Sequence, residues 1–185
     1  LAHKNSRPGR DLTFSAPKSV SILALIQKNE QIIAAHDRSV DRTLKYIEQN
    51  CIYTRLGAGG REERQTDNMV VAVFQHDSNR NLDPSLHSHC VIFNLTQAED
   101  GKWRAMNNPQ LYQQQMTIGM IYRHELSQEL TKLGYSINWS KDGTFDIAGF
   151  NSQQLKQFSS RRTEIINLAG ADSNSKEKQL ACLTT

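Results

Sequence analysis

The chain has 185 residues, 37% of them hydrophobic and 22% charged, with a formal net charge of +3. That length favours one domain with a substantial core, and no run approaches the roughly 18 apolar residues of a membrane span, so no membrane segment is expected. No signal-peptide pattern opens the chain, and Cys51, Cys90 and Cys182 are widely spaced with no CxxC, which excludes a disulfide framework and points to a reducing, cytoplasmic setting.

Residues 1–18 hold Lys4, Arg7, Arg10 and Lys18 against a single acid, Asp11. Such a segment suits phosphate groups, and a solvated basic tail is the alternative. Residues 11–15 (DLTFS) read as a short strand, and Pro17 suits the first turn of a helix over about 17–27. A second helix fits about 30–49, where Ile32, His36, Val40, Leu44 and Ile47 fall on one stripe. Residues 51–56 read as a strand, and the Gly-rich polar stretch 57–68 as a loop or hairpin turn. Residues 69–76 and 86–96 are strands apolar on both faces, expected at the centre of a sheet covered by helices. A turn at 99–102 leads into a short strand at 103–106.

A long helix fits about 109–133, stopped by Gly134. Residues 135–139 and 144–148 make a hairpin, and Asn151 caps a helix over about 152–168 with Gln154 at its third position. The last ten residues read as one more helix turn or a frayed end. The order predicts an α+β fold, a mainly antiparallel sheet flanked by helices in one domain spanning 1–185.

The richest stretch is 71–93, VAVFQHDSNRNLDPSLHSHCVIF. His87 and His89 lie two apart on a strand, so both leave the same face. His76 ends the preceding strand, and turn residues fill the gap. If the two strands pair antiparallel, all three imidazoles converge. Neighbouring imidazoles gain little without a cation, and three neutral ones leave a coordination position open, the mark of a catalytic site. Ligand softness favours Zn, Mn, Ni, Co or Cu over Mg. His3, His36 and His124 read as unrelated to this site.

The run Gly9-Arg10-Asp11-Leu12-Thr13-Phe14-Ser15-Ala16-Pro17-Lys18-Ser19-Val20-Ser21 resembles a signature of conjugative relaxases of the MobF type. The block His76-Asp77 through Leu86-His87-Ser88-His89 resembles their three-histidine motif, and Ser160-Arg161-Arg162 another family stretch. The resemblance covers nearly the whole chain in order. It implies the HUH endonuclease superfamily, with a two-layer architecture shared by Rep proteins and relaxases. It also implies nicking of one plasmid DNA strand at the origin of transfer, by a tyrosine that attacks the scissile phosphate and stays linked to the 5′ end. His76, His87 and His89 would hold a divalent metal, with Mg, Mn and Zn left open. Asp11 would orient a ligating histidine or take the tyrosine proton; the alternative for Asp11 is to cap a turn or pair with Arg10.

The family's nucleophilic tyrosines lie upstream of the DLTFSAPKSVS segment, whereas none of the ten residues before Asp11 is Tyr. Tyr46, Tyr53, Tyr112, Tyr122 and Tyr135 are not assigned as nucleophile. The chain as given is therefore expected to lack the tyrosine-bearing N-terminal segment, and to bind metal and DNA without forming the covalent link. Expected partners are single-stranded or hairpin DNA at the origin of transfer and other DNA-processing and transfer proteins. Lys18 and Arg80 are the better candidates for DNA contact, followed by Arg10 and Arg161; Trp103 and Trp139 fit core or base stacking equally. Two rival readings remain: a catalytically silent single-stranded DNA-binding module, and a three-histidine metal hydrolase or oxygenase acting on small molecules.

Overall fold

A computed structural model describes residues 7–107, 109–169, 174, 177, 181 and 182. Lys4 and most of the last ten residues lie outside the described residues. Strand β1 (Gly9–Ser15) leads into helix α1 (Lys18–Leu25), with Pro17 at its N-cap. Helix α2 (Glu30–Cys51) is capped by the Asn29 side chain, which accepts from the amides of Gln31 and Ile32. The predicted stripe is buried, but the helix runs on through Cys51, which the sequence suggests as strand. Strand β2 (Tyr53–Leu56) pairs antiparallel with β3 (Glu62–Gln65). Strand β3 lies within the stretch predicted as loop; all four of its residues are polar and exposed, so no hydrophobic alternation marks it.

Strands β4 (Val71–Ser78) and β5 (Pro84–Phe93) form the main sheet with β1, in the order β1-β5-β4, all antiparallel. Here the expectation that both apolar strands are central and covered on both faces is corrected. Only β5 is central. Strand β4 is an edge among the described residues, with Val73 and Phe74 about half exposed. On β5 burial alternates: Leu86, Ser88, Cys90 and Ile92 are buried, and His87, His89 and Val91 are half-buried. The helices therefore cover one face of the sheet and leave the other open. An apolar run announces a strand, but its place in the sheet depends on partners far away in sequence.

Short strands β6 (Thr96–Gln97) and β7 (Trp103–Arg104) pair, and β8 (Met106–Asn107) joins β2. The long helix predicted over 109–133 is two: α3 (Pro109–Gln113) and α4 (Gln115–Lys132), divided at Gln114, whose φ of −93° and ψ of 6° leave the helical range. Gly134, with φ of 89°, ends the second as expected. Strands β9 (Ile137–Trp139) and β10 (Phe145–Ile147) form the predicted hairpin. Asn151 caps α5 (Ser152–Gln157) in a capping box completed by Gln154, but α6 (Ser160–Ala169) starts separately. The break has a tertiary cause: at the start of α6 the Ser160 hydroxyl and the Arg161 amide both donate to the Asp83 carboxylate, at 2.8 and 3.1 Å.

The core joins Phe14, Leu86, Cys90 and Ile92 of the sheet to Val20, Ile32, Ile47, Leu126 and Leu130 of the helices. Helices α2 and α4 are also clamped by charge. Glu129, 5% exposed at its side chain, accepts from Arg38 Nε at 2.6 Å, Arg42 Nη1 at 2.8 Å and Lys132 Nζ at 2.8 Å. Hydrogen bonds from Lys132 and then Arg38 hold the Glu129 carboxyl down to about 2, well below the ordinary value of 4.5. A depressed carboxylate stabilises fully above its unfolded pKa and is lost as pH falls through its folded one. Acid unfolding followed by helical circular dichroism should show stability falling between about pH 4.5 and about pH 2. Glu129→Gln should flatten that dependence and cost about 2 kcal/mol at neutral pH, since the flanking cations stay partly solvated. An acid profile identical to the parent's would exclude the clamp.

Candidate functional site

Register decides what shares the open face. Thr13 pairs with His89 and Ser15 with His87 across β1–β5, while His76 pairs with His87 and Phe74 with His89 across β4–β5. Cross-strand partners lie on one face, so His76, His87 and His89 come together. Their ring centroids are 5.2 Å (His76–His87), 5.3 Å (His76–His89) and 5.3 Å (His87–His89) apart, a nearly equilateral triangle. The register shifts between His76 and Ser78, a bulge just beyond the first histidine, and pairing resumes at Ser78 with Pro84.

The outer ring nitrogens of His87 and His89 are held. His87 Nδ1 donates to the Ser85 carbonyl at 2.8 Å, and His89 Nδ1 to Asp11 Oδ2 at 2.7 Å. Both partners are acceptors, so both Nδ1 atoms carry the proton and both Nε2 lone pairs stay available. Asp11 sits one diagonal step from His89, because its own register partner is Val91. The Thr13 hydroxyl lies 3.2 Å from the same His89 nitrogen. Arg10 is half-buried and projects from the other side of β1, over the Tyr112 ring at 5.6 Å; Asp11 therefore faces His89 rather than Arg10.

Imidazoles bound to one ion through bonds of about 2.0–2.1 Å at tetrahedral angles set their ring centres about 5 Å apart. The observed triangle fits that spacing, and the residue types and oriented tautomers fit a metal ligand set. Among the described residues, no three donor groups of His, Cys, Asp or Glu are already gathered into one ligand sphere. The site is thus a matched set of rings on an open sheet face.

The loop between His76 and His87 is anchored from behind. Asp83 is buried and accepts from Asn79 Nδ2 at 2.9 Å as well as from the start of α6. These hydrogen bonds outweigh burial and hold its carboxyl below the usual range. Lys18 Nζ donates to the Pro84 carbonyl at 2.8 Å, and burial lowers its ammonium against the opposing pull of Asp83. Two predicted DNA-contact residues are half-buried and already hydrogen-bonded within the fold. Lys18 ties α1 to the start of β5, and Arg161 hydrogen-bonds the Cys182 carbonyl through Nη2 at 3.2 Å. Arg80 is exposed at the loop tip beside Leu82, whose φ is 61°.

Two grooves flank the site. One of about 500 Å³ runs along β1 and is lined by Arg10, Asp11, Thr13, Tyr112 and Arg123. The other, of about 740 Å³, lies between α1, the β9–β10 hairpin and α6, with Lys18, Arg123, Lys156 and Arg162 among its lining. Trp103 and Trp139 are both exposed rather than core. Reading the sequence alone misses Asp83 as a tertiary helix cap and Ser88 as a hydrogen-bonding residue. The second has a signal: Ser88 is a polar residue at an inward parity of an otherwise apolar strand.

The whole chain, residues 1–185, matches the TrwC relaxase family. The multifunctional conjugation protein TraI of Escherichia coli (strain K12) is 33% identical over 189 residues, spanning 97% of this chain and 10% of that protein. The conjugative relaxase TrwC in complex with oriT DNA, in a metal-bound structure, superposes with a TM-score of 0.93 at 40% identity, covering 99% of this chain and 66% of that one. TrwC complexed with a 27-mer DNA comprising the recognition hairpin and the cleavage site gives 0.92 at 39% identity, covering 99% and 68%. The chain spans about a tenth of the length of the curated relatives it matches. With a match along its full length and a shared three-dimensional fold, this chain belongs to the TrwC relaxase family.

Proposed function

We propose that this chain is the DNA-nicking core of a conjugative relaxase, acting on single-stranded or hairpin DNA at an origin of transfer. One observation carries the reading: three imidazoles 5.2–5.3 Å apart on an open sheet face, two of them with their outer nitrogen already donated to an acceptor. In the proposed reaction a tyrosine oxygen bonds to the scissile phosphorus as the bond to the 3′ oxygen breaks. The 5′ phosphate stays on the enzyme and the 3′ oxygen takes a proton.

His76, His87 and His89 would hold a divalent cation, which supplies positive charge for the non-bridging oxygens as the phosphorus is attacked. Asp11 fixes the His89 tautomer and keeps its ring aimed, and the Ser85 carbonyl does the same for His87. None of Tyr46, Tyr53, Tyr112, Tyr122 and Tyr135 is proposed as the attacking tyrosine. Tyr46, Tyr53, Tyr122 and Tyr135 have hydroxyls hydrogen-bonded within the fold, to Gln114, Gln65, His36 and Asn29. Arg80, exposed between the ligands, is the cation best suited to a phosphate, with Arg10 along the neighbouring groove; Lys18 and Arg161 act by holding the loop. Mn or Zn suits three imidazoles better than Mg. The protein would work in the bacterial cytoplasm with other DNA-processing and transfer proteins. No helix among the described residues is long and apolar enough to cross a membrane, and no disulfide forms among them.

Calorimetry with Mn should show binding at one site, and His87→Ala should weaken it at least about a hundredfold, more than loss of an outer partner costs. Equal affinity in the two proteins would remove the metal site. Asp11→Asn should weaken Mn binding about 10–100-fold. Because the Asp11–His89 pair is solvent-exposed, worth about 0–1 kcal/mol, the same variant should melt within about 4 °C of the parent. A large fall in melting temperature with affinity intact would make Asp11 structural instead. A labelled origin-type oligonucleotide should bind this chain without a covalent adduct. Joined to a tyrosine-bearing N-terminal segment, the chain should cleave it in a metal-dependent way and retain the 5′ end. Binding without cleavage in the extended protein would leave a silent DNA-binding module.

A further inference from the structure

We propose that the buried residues His36, Ser88 and Tyr122, together with the exposed Asp37–Gln75 pair, form a positioning network that sets the pose of the histidine triangle from behind the sheet. The proposal rests on the metal-site reading above.

Ser88 lies between His87 and His89 on β5 but points to the opposite face, where it is fully buried. Its hydroxyl is 2.8 Å from His36 Nε2, and His36 Nδ1 is 2.8 Å from the Tyr122 hydroxyl. His36 belongs to α2 and Tyr122 to α4, and His36, Ser88 and Tyr122 are 0, 0 and 2% exposed. The next residue of α2, Asp37, accepts from Gln75 Nε2 at 2.5 Å. Gln75 immediately precedes His76 and is the register partner of Ser88. Two consecutive residues of one helix thus grip the cross-strand pair Gln75–Ser88. That pair sits directly behind His76–His87 on one side and Phe74–His89 on the other.

The chemistry favours positioning over mere packing. A buried hydroxyl, imidazole and phenol are each costly if left unpaired, whereas apolar residues would fill the same volume without that risk. What a hydrogen-bonded chain adds is direction: it fixes where the strand sits relative to the helices, to within hydrogen-bond tolerance. A strand needs that constraint here, because a one-residue slip would carry His87 and His89 into the core. Burial lowers the His36 pKa to about 4, so its ring stays neutral near pH 7, one nitrogen donating and the other accepting.

The experiment compares Mn affinity by calorimetry at 25 °C with thermal melting, for the parent, His87→Ala, Ser88→Ala, Ser88→Thr and Tyr122→Phe. Ser88→Ala and Tyr122→Phe should each bind Mn about tenfold more weakly while still folded, the low end for outer partners because the effect passes through the strand backbone. Ser88→Thr, which keeps the hydroxyl, should recover most of the affinity. Should Ser88→Ala fail to fold, Tyr122→Phe carries the test by removing one oxygen at the far end of the network. Lowered melting temperatures with parental Mn affinity in Ser88→Ala and Tyr122→Phe would overturn the network and leave the metal site standing. A parent that binds Mn no better than His87→Ala would overturn the metal reading, and this proposal with it.

Discussion

The antiparallel pairing of β5 with β1 on one side and β4 on the other is the constraint everything else answers to. A strand turns alternate side chains to opposite faces. Once β5 is seated, Leu86, Ser88, Cys90 and Ile92 must meet the helices and His87, His89 and Val91 must meet the open side. The neighbouring strands then deliver Asp11 and Thr13 from one flank and His76 from the other at heights set only by register. No loop has to be placed with precision for these groups to converge. Chemistry on a sheet face inherits the rigidity of the ladder beneath it.

The open face exacts a balance between order and access. Phe74 is 54% exposed and the Asp11 side chain about half exposed, so the sheet gains little apolar burial there. Stability comes from the other side, where α1, α2 and α4 pack on the sheet and on each other. Polar contacts there include the Glu129 cluster between α2 and α4, whose cations stay partly solvated, and the buried His36 chain that reaches the strand. Two further contacts, Lys18 on the Pro84 carbonyl and Asp83 at the start of α6, hold the ends of the segment that joins the histidine strands. The loop tip exposes Arg80 and Leu82, while Asn81 Nδ2 between them donates to Glu164 of α6 at 2.9 Å.

Charge is distributed in the same spirit. The net charge is only +3, too little to bind a nucleic acid by bulk attraction alone. Cations instead line the grooves beside the site, Arg10 and Arg123 on one side and Lys156 and Arg162 on the other. Those that sequence proximity singles out divide by accessibility: Arg80 faces solvent, whereas Lys18 and Arg161 direct their hydrogen bonds to main-chain carbonyls.

Local pattern was enough to read the elements that repeat a simple rule. The stripe of α2, the cap at Asn151, the stop at Gly134 and the shared face of His87 and His89 each depend on residues within a few positions of one another, and period and turn chemistry are local properties. The three-histidine spacing and the segment around Asp11 were legible for the same reason. What required the folded chain was every relation between distant residues. The exposed edge position of β4, the all-polar strand β3, the division of the last helices, the helix cap supplied by Asp83 and the grip of α2 on the back of the histidine strands are all settled by partners remote in sequence. A hydrogen bond between such residues is set by where the ladder and the helices bring them in space, and no composition or periodicity in the chain encodes that distance.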